Sequence, residues 1–183
     1  MTDDYRDDPI LGPALTYWID KRGSRLLPSR RDIDPVEIPR KILPNLQIID
    51  VVDGGARFRY RLIGTATVEA YGEDFTGRYT DKMFPPDLRD FIHGVYGQAC
   101  SSKAPVYLRN RYVTAKGYKL GSKRIYMPLS DDGAAVNHIL GVLRFEYDSS
   151  VAADRWRNDA KLIPASAHVE QIKIAPPLST AAD

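Results

Sequence analysis

The chain has 183 residues, 43% of them hydrophobic and 27% charged, which is enough to build one domain around its own core. Its net charge is only +2, so it lacks the strong charge bias of proteins that bind nucleic acids or anionic membranes through charge alone. Its one cysteine, Cys100, excludes an intramolecular disulfide and a cysteine-based zinc site.

The two ends of the chain differ in composition from its middle. Residues 1–9 are mostly charged and are predicted to be a disordered N-terminus, and residues 148–183 are predicted to be a C-terminal extension or tail. Within that tail, residues 168–174 either add an edge strand or dock on a neighbour. The N-terminus lacks an apolar signal segment and no run approaches about 20 apolar residues, so we expect a cytoplasmic protein without a membrane span.

Residues 10–23 are predicted to form an N-terminal helix. Their apolar side chains recur at helical spacing, and Gly23 is a plausible stop. This helix carries more apolar surface than a small sheet needs to bury. Leu15, Trp18 and Ile19 are therefore predicted to form the interface of a homodimer.

The segment from residue 46 to residue 63 has the pattern of a β-hairpin. A near-continuous apolar run, 46–52, is typical of a buried strand, and an Asp-Gly-Gly turn follows it. In the next run, 57–63, apolar and basic residues alternate strictly. Phe58, Tyr60 and Leu62 are therefore predicted to face the interior, with three arginines on the other side.

Two helices and three strands follow. A short helix is predicted from Thr65 to Tyr71, and a longer one after Pro85, with apolar residues at i, i+3, i+4, i+7, i+8 and i+11. Three strands are then predicted at 105–114, 118–130 and 136–147. Because tight turns separate these strands, we expect an antiparallel sheet in an α+β fold.

Four stretches resemble a bacterial group of stand-alone PAS-domain proteins: YWIDKRGSRLLPSRRDIDPVEIPRKILPNLQIIDVV (17–52), FRYRLIGTATVEAYGEDFTGRY (58–79), RIYMPLSDDG (124–133) and HILGVLRF (138–145). They define a PAS-like domain over residues 10–147, with its core in residues 46–147. The resemblance implies a five-stranded antiparallel sheet of order 2-1-5-4-3 with helices on one face. It also implies a sensory or regulatory module that signals without catalytic output. Fold alone does not identify the signal.

A binding pocket for a small, apolar ligand is expected between the inner face of the sheet and the helices. A signalling protein is the alternative partner. Each candidate lining residue is equally explained as core. The candidates are Phe58, Tyr60, Leu62, Val68, Tyr71, Phe84, Phe91, Val95, Tyr107 and Tyr126. Two alternatives stay open: a small α+β enzyme with a buried acid in the same pocket, and an interaction adaptor with a filled core.

The cofactor is unknown, because the residues expected of a haem site and of a covalent flavin site are not in place, which makes both cofactors disfavoured. His93 lies well off the apolar face of the long helix, which predicts a surface histidine rather than a haem ligand. His138 falls in a strand and is likewise disfavoured as a haem ligand. The Asn-Cys-Arg-Phe-type run of light-sensing PAS domains is absent, and Cys100 is predicted to be a packing residue or an exposed thiol. No metal site is predicted.

Nucleic-acid binding is disfavoured by the arrangement of charge along the strands. Arginines of two strands could form a basic face, but strand alternation places Tyr60 on the face opposite Arg59 and Arg61. A base-stacking surface needs cations and aromatic rings on one face.

Overall fold

The computed structural model describes residues 4–113, 119–147 and 163–174. Within these ranges the α-helices are α1 (Leu11–Arg22), α2 (Thr65–Tyr71) and α3 (Pro86–Ser102). The strands of the described residues are β1 (Leu46–Val52), β2 (Arg57–Ile63), β3 (Val106–Val113), β4 (Lys119–Leu129), β5 (His138–Tyr147) and β6 (Ile163–Gln171). Within these ranges, none of the helices combines the length and the apolar composition that a bilayer crossing requires.

The strands form one antiparallel sheet of order β2-β1-β5-β4-β3-β6. The first five positions confirm the predicted order 2-1-5-4-3. The sixth strand comes from the C-terminal extension and pairs with β3 from Val106–Gln171 to Val113–Ile163. The extension therefore does add an edge strand, and this strand begins earlier than the sequence pattern indicated.

The helices on the β1–β5 sheet lie where the sequence predicts them. Gly72 follows α2 in the left-handed conformation, with φ of 73°, and its N–H donates to the Val68 oxygen. Pro86 occupies the first turn of α3, where a missing N–H costs no hydrogen bond. The α3 side chains Ile92, Val95, Tyr96 and Ala99 are buried against the sheet.

The opposite face of the sheet is covered by α1. Trp18 is 1% exposed, and its Nε1 donates a hydrogen bond to the Pro128 main-chain oxygen at 3.0 Å. Leu15 is also buried in this core, and Ile19 packs against it half-buried. This location corrects the predicted dimer interface, because Leu15 and Trp18 are already covered by the chain's own sheet.

The predicted disorder of the N-terminus does not extend to residues 4–9. Asp8 is buried, and its Oδ1 accepts hydrogen bonds from the main-chain N–H groups of Ile10 and Leu11 at the start of α1. Its Oδ2 accepts from Arg144 of β5 at 2.6 Å. Charged side chains of this segment therefore make specific contacts with the rest of the domain. Residues 1–3 lie outside the described ranges.

Strict alternation fails in β2 because the strand contains a bulge. Ile49 pairs with Tyr60 and Ile48 pairs with Leu62, which leaves Arg61 as an extra residue. After the bulge Leu62 is 43% exposed and Ile63 is buried. The prediction that Leu62 lines the interior is therefore wrong.

Candidate functional site

A cleft of about 350 Å³ opens between the N-terminal half of α3 and the sheet. This volume lies at the small end of the range for small-molecule sites. Most of its wall is apolar, and a few polar side chains come from α2, from the first turn of α3 and from the strands. The lining residues are Tyr71, Phe84, Pro85, Asp87, Leu88, Phe91, Ile92, Asn110, Arg124 and Ala167.

Strand β4 brings a guanidinium group to this cleft. Arg124 lies two residues before Tyr126, so both side chains project from the α3 face of the sheet. It is only 6% exposed. Its Nε donates to Ser122 Oγ at 3.2 Å, and its Nη2 donates to the Tyr71 hydroxyl at 3.3 Å. Both hydrogen bonds help to fix the orientation of the guanidinium.

The end of α2 places Tyr71 at the rim of the cleft. Its ring packs edge-on against Phe75 and Phe145, with centroid distances of 5.6 and 5.9 Å. Tyr71 is nevertheless 39% exposed. Tyr71 therefore joins the aromatic packing around α2 to the hydrogen bonds of Arg124.

Behind the cleft, the aromatic side chains fill a core. The hydroxyl oxygens of Tyr60 and Tyr96 lie 3.1 Å apart, and Tyr96 packs edge-on against Phe58 and Tyr126. Burial strongly raises the pKa of both Tyr60 and Tyr96, so both phenols stay neutral at physiological pH. These residues support the wall of the cleft rather than lining it.

The predicted pocket residues therefore separate into groups. Tyr71, Phe84 and Phe91 line the cleft. The core behind it contains Phe58, Tyr60, Val95 and Tyr126, with Val68 packed against that core half-buried.

Tyr107 lies on the opposite face of the sheet from Tyr126. It pairs directly with Ile125, and directly opposed residues share a face, so its ring packs in the α1 core. There it lies 5.2 Å from the Tyr5 ring, beside a more open depression of about 390 Å³. The prediction that Tyr107 and Tyr126 line one pocket is therefore wrong.

The sequence-based list contained only apolar and aromatic residues, so it missed the polar lining. Arg124 and Ser122 could have been placed on the inner face from Tyr126 by strand alternation alone. Asn110 also follows from its strand, because it pairs directly with Ser122. Ala167 has no such signal, since only the register of β6 on β3 brings it to the cleft.

The histidine of α3 is half-buried rather than a surface residue. Thr80 donates its hydroxyl proton to the Phe58 main-chain oxygen at 3.2 Å, so the His93 Nε2–H donates to Thr80 Oγ1 at 2.7 Å. Burial lowers the pKa of His93, and the positive charge of Arg89 lowers it further. This geometry holds a neutral imidazole against Phe58, outside the residues that line the cleft.

A separate ionic cluster joins β1, β2 and β5. The Asp50 carboxylate is buried and accepts hydrogen bonds from Arg59 at 2.7 Å and Arg61 at 2.6 Å. His138 Nδ1 lies 3.0 Å from Asp50, and its Nε2 lies 3.2 Å from Asp131. Among the described side chains, no three His, Cys, Asp or Glu residues come together as a metal site.

A family model described as the PAS domain matches residues 9–144, which is more than half of the chain. Among solved structures, the chain is similar to the PAS domain from Bordetella pertussis BvgS. The two are 20% identical over 69% of this chain and 94% of that chain, with a TM-score of 0.43. No curated protein matches significantly.

Proposed function

The chain belongs to the PAS-domain family, and we propose that it binds a small molecule in the cleft under α3 and signals without catalytic output of its own. Membership of this family supports a sensory or regulatory module in general. The ligand-binding part of the proposal rests on one observation: the sheet and α3 enclose a mostly apolar cleft with a buried guanidinium at its floor. An adaptor with a filled core would have no such opening.

The cleft is bounded by elements that occupancy could move relative to one another. Tyr71 comes from α2, Leu88 and Phe91 from α3, and Ala167 from β6. Strand β6 also leads to Ile172, which is buried in the core under α1 and donates its N–H to the Pro105 oxygen at 2.8 Å. We therefore propose that a ligand changes how β6 docks, and that the C-terminal segment passes this change on.

The enzyme alternative requires a buried acid in the pocket. The two buried carboxylates of the described residues, Asp8 and Asp50, lie outside the cleft and pair with arginines. Asp87 does line the cleft, but it is exposed to solvent. This arrangement favours binding over acid–base chemistry.

PAS domains often mediate dimerisation or partner binding, and we propose that this cytoplasmic module is a homodimer. Because Leu15 and Trp18 are buried under the chain's own sheet, the proposed interface lies on the outer side of α1, where Thr16 and Ile19 border an open groove. Thr16→Arg is expected to halve the mass measured by light scattering. Thr76→Arg, a matched change at an exposed site elsewhere, is expected to leave it unchanged. A monomeric native protein would refute the proposal.

Native mass spectrometry tests the cleft directly. Protein as purified is compared with denatured protein, and we expect a small molecule that is lost on denaturation. Leu88→Trp places a larger side chain in the cleft and is expected to abolish retention. Leu26→Trp makes the same change at an exposed loop residue and serves as the matched control. Equal retention by both variants would overturn the proposed site.

A further inference from the structure

Residues 4–8 form an N-terminal strap over the end of the β3–β6 pair. Tyr5 of the strap and Tyr107 of β3 pack with their ring centroids 5.2 Å apart, and each residue is 3% exposed. Arg6 of the strap lines the same depression as Glu170 of β6. The strap therefore covers the part of the sheet where the C-terminal end of β6 is docked.

The end of the strap next to α1 is firmly held. The Asp8 carboxylate accepts hydrogen bonds from the first turn of α1 and pairs with Arg144 of β5. The strap backbone also lies directly on the helix, because a Cβ atom added to Gly12 would collide with the Arg6 main-chain oxygen. Glycine at position 12 is thus what lets the strap lie there.

The other end of the strap is held less well. The hydroxyl oxygens of Tyr5 and Tyr107 are buried, and neither has a hydrogen-bond partner among the described residues. Burial raises the pKa of both phenols, to about 12 for Tyr107, so both are neutral hydroxyl groups at pH 7. Buried hydroxyls without partners destabilise the docked strap relative to an open state in which water satisfies them.

The core beneath the strap also contains the residue that follows β6. Ile172 is 2% exposed, belongs to the same buried cluster as Tyr5 and Tyr107, and donates its N–H to the Pro105 oxygen at 2.8 Å. Glu170 of β6 pairs directly with Tyr107. Opening of the strap would uncover Tyr107 and remove packing from this end of β6.

We propose that the N-terminal strap is a releasable clamp on the C-terminal end of β6, and that opening of the strap loosens the docking of that strand. This inference deepens the proposed function, on which it rests only in assigning the signal to β6. It adds a control element to that strand. The clamp itself requires no ligand, so it can be tested without one.

Trypsin cleavage after Arg6 measures how often the strap opens, because a protease needs a locally unfolded segment. Mass spectrometry gives the initial rate at which residues 1–6 are released, relative to cleavage of a synthetic peptide of residues 1–12 with the same sequence. Gly12→Ala is expected to raise this ratio at least about tenfold by wedging the strap off α1. Gly94→Ala, at a helical glycine with open space around it, is the matched control and should leave it within about twofold.

Tyr5→Phe is expected to have the opposite effect and to slow cleavage at least about fivefold, since it removes one buried hydroxyl without a partner. Tyr60→Phe removes a hydroxyl that has a partner, in the core under α3, and should leave cleavage after Arg6 unchanged. If Gly12→Ala does not fold, Tyr5→Phe decides alone. Native rates in folded Gly12→Ala, or in Tyr5→Phe, would overturn the proposal.

Hydrogen exchange of the Ile172 amide, measured by NMR, shows whether β6 responds to the strap. We expect exchange at least about fivefold faster in Gly12→Ala and slower in Tyr5→Phe, with no change in Gly94→Ala. Altered cleavage after Arg6 with unaltered Ile172 exchange would refute the clamp.

The outcomes also separate the clamp from the proposed function. Parallel changes at Arg6 and Ile172 in a protein that retains no small molecule would uphold the clamp while ligand binding in the cleft fails. A small molecule that is retained by native protein and lost in Leu88→Trp, together with Ile172 exchange that ignores the strap variants, would refute the clamp alone.

Discussion

The indole nitrogen of Trp18 donates a hydrogen bond to the Pro128 main-chain oxygen, 3.0 Å away. This bond attaches the N-terminal helix to the strand that also carries Arg124 and Tyr126. The helix is thus part of the domain's own core, although its apolar surface predicted a dimer interface.

Trp18→Phe is expected to lower the free energy of unfolding by about 1–3 kcal/mol, since it removes this hydrogen bond and part of the buried ring. Trp18→Asp is expected to prevent folding, because it places an unpaired charge in the core. Urea denaturation followed by circular dichroism measures both effects. A folded, monomeric Trp18→Asp protein would contradict the assignment of Trp18 to the core.

Asp50→Asn is expected to lower the free energy of unfolding by about 2 kcal/mol. Breaking a fully buried ion pair costs about 3–5 kcal/mol, and the partial exposure of Arg59 and Arg61 reduces that value. Asp90→Asn serves as the control, because Asp90 makes an exposed pair with Arg89 and its loss should have little effect. Equal effects of the two changes in urea denaturation would refute a structural role for Asp50.

The ionic cluster also predicts acid sensitivity. Burial alone would raise the pKa of Asp50, but hydrogen bonds from Arg61 and Arg59 outweigh it and hold the pKa below its usual value of 3.8. The stabilisation is therefore present above pH 3.8 and is lost as the pH falls through the lowered pKa. Asp50→Asn should reduce this acid-induced loss of stability.

His93 predicts a second pH dependence, in a different range. Its folded-state pKa lies below its usual value of 6.5, so the unfolded chain binds the proton more readily. Stability contributed by the neutral ring is present above pH 6.5 and is lost as the pH falls towards the folded-state pKa. His93→Gln should reduce the change of melting temperature with pH over this range, whereas His168→Gln, at a largely exposed residue, should leave that change as it is in the native protein. Identical profiles for native protein and His93→Gln would contradict the buried contact with Thr80.

Cys100 is expected to react slowly with alkylating reagents. Burial raises the pKa of its thiol from 9.0 to about 11, and only the thiolate reacts. At pH 8 this shift lowers the thiolate fraction by about 100-fold relative to the unfolded chain. Mass spectrometry after iodoacetamide treatment, with and without denaturant, measures the ratio of rates. Equal rates in the two conditions would show that Cys100 is open to solvent.

The five-strand order was implied by the resemblance to PAS-domain proteins, whereas local sequence patterns were sufficient to predict the antiparallel strands and the helices on that sheet. Tight turns forced antiparallel neighbours, and the spacing from Leu88 to Ala99 identified α3. The bulge at Arg61 could not be foreseen, because alternation across 57–63 looks unbroken in the sequence. The edge position of β6 was one of two options, since the short apolar pattern at 168–174 suits either an edge strand or a docking segment.

The candidate site was harder to predict than the fold. Tyr71, Phe84 and Phe91 were found because aromatic residues mark both cores and pockets. Tyr107 was misplaced because a sequence gives the alternation within each strand but not the register between strands. Arg124 was overlooked because charged residues on strands are usually solvent-exposed, and its hydrogen bond to Tyr71, distant in the sequence, follows only from the fold.

Strand β6 has a practical consequence for any attempt to trim this protein to its family-matched region, residues 9–144. Such a fragment would lack the strand that pairs along the whole of β3, and it would lose Ala167 from the cleft wall. The uncovered backbone of β3 would then offer its hydrogen-bonding groups to the same edge of another molecule. Aggregation of the shortened fragment would therefore reflect a missing edge-protecting strand, and adding residues 163–174 as a separate peptide should restore its solubility.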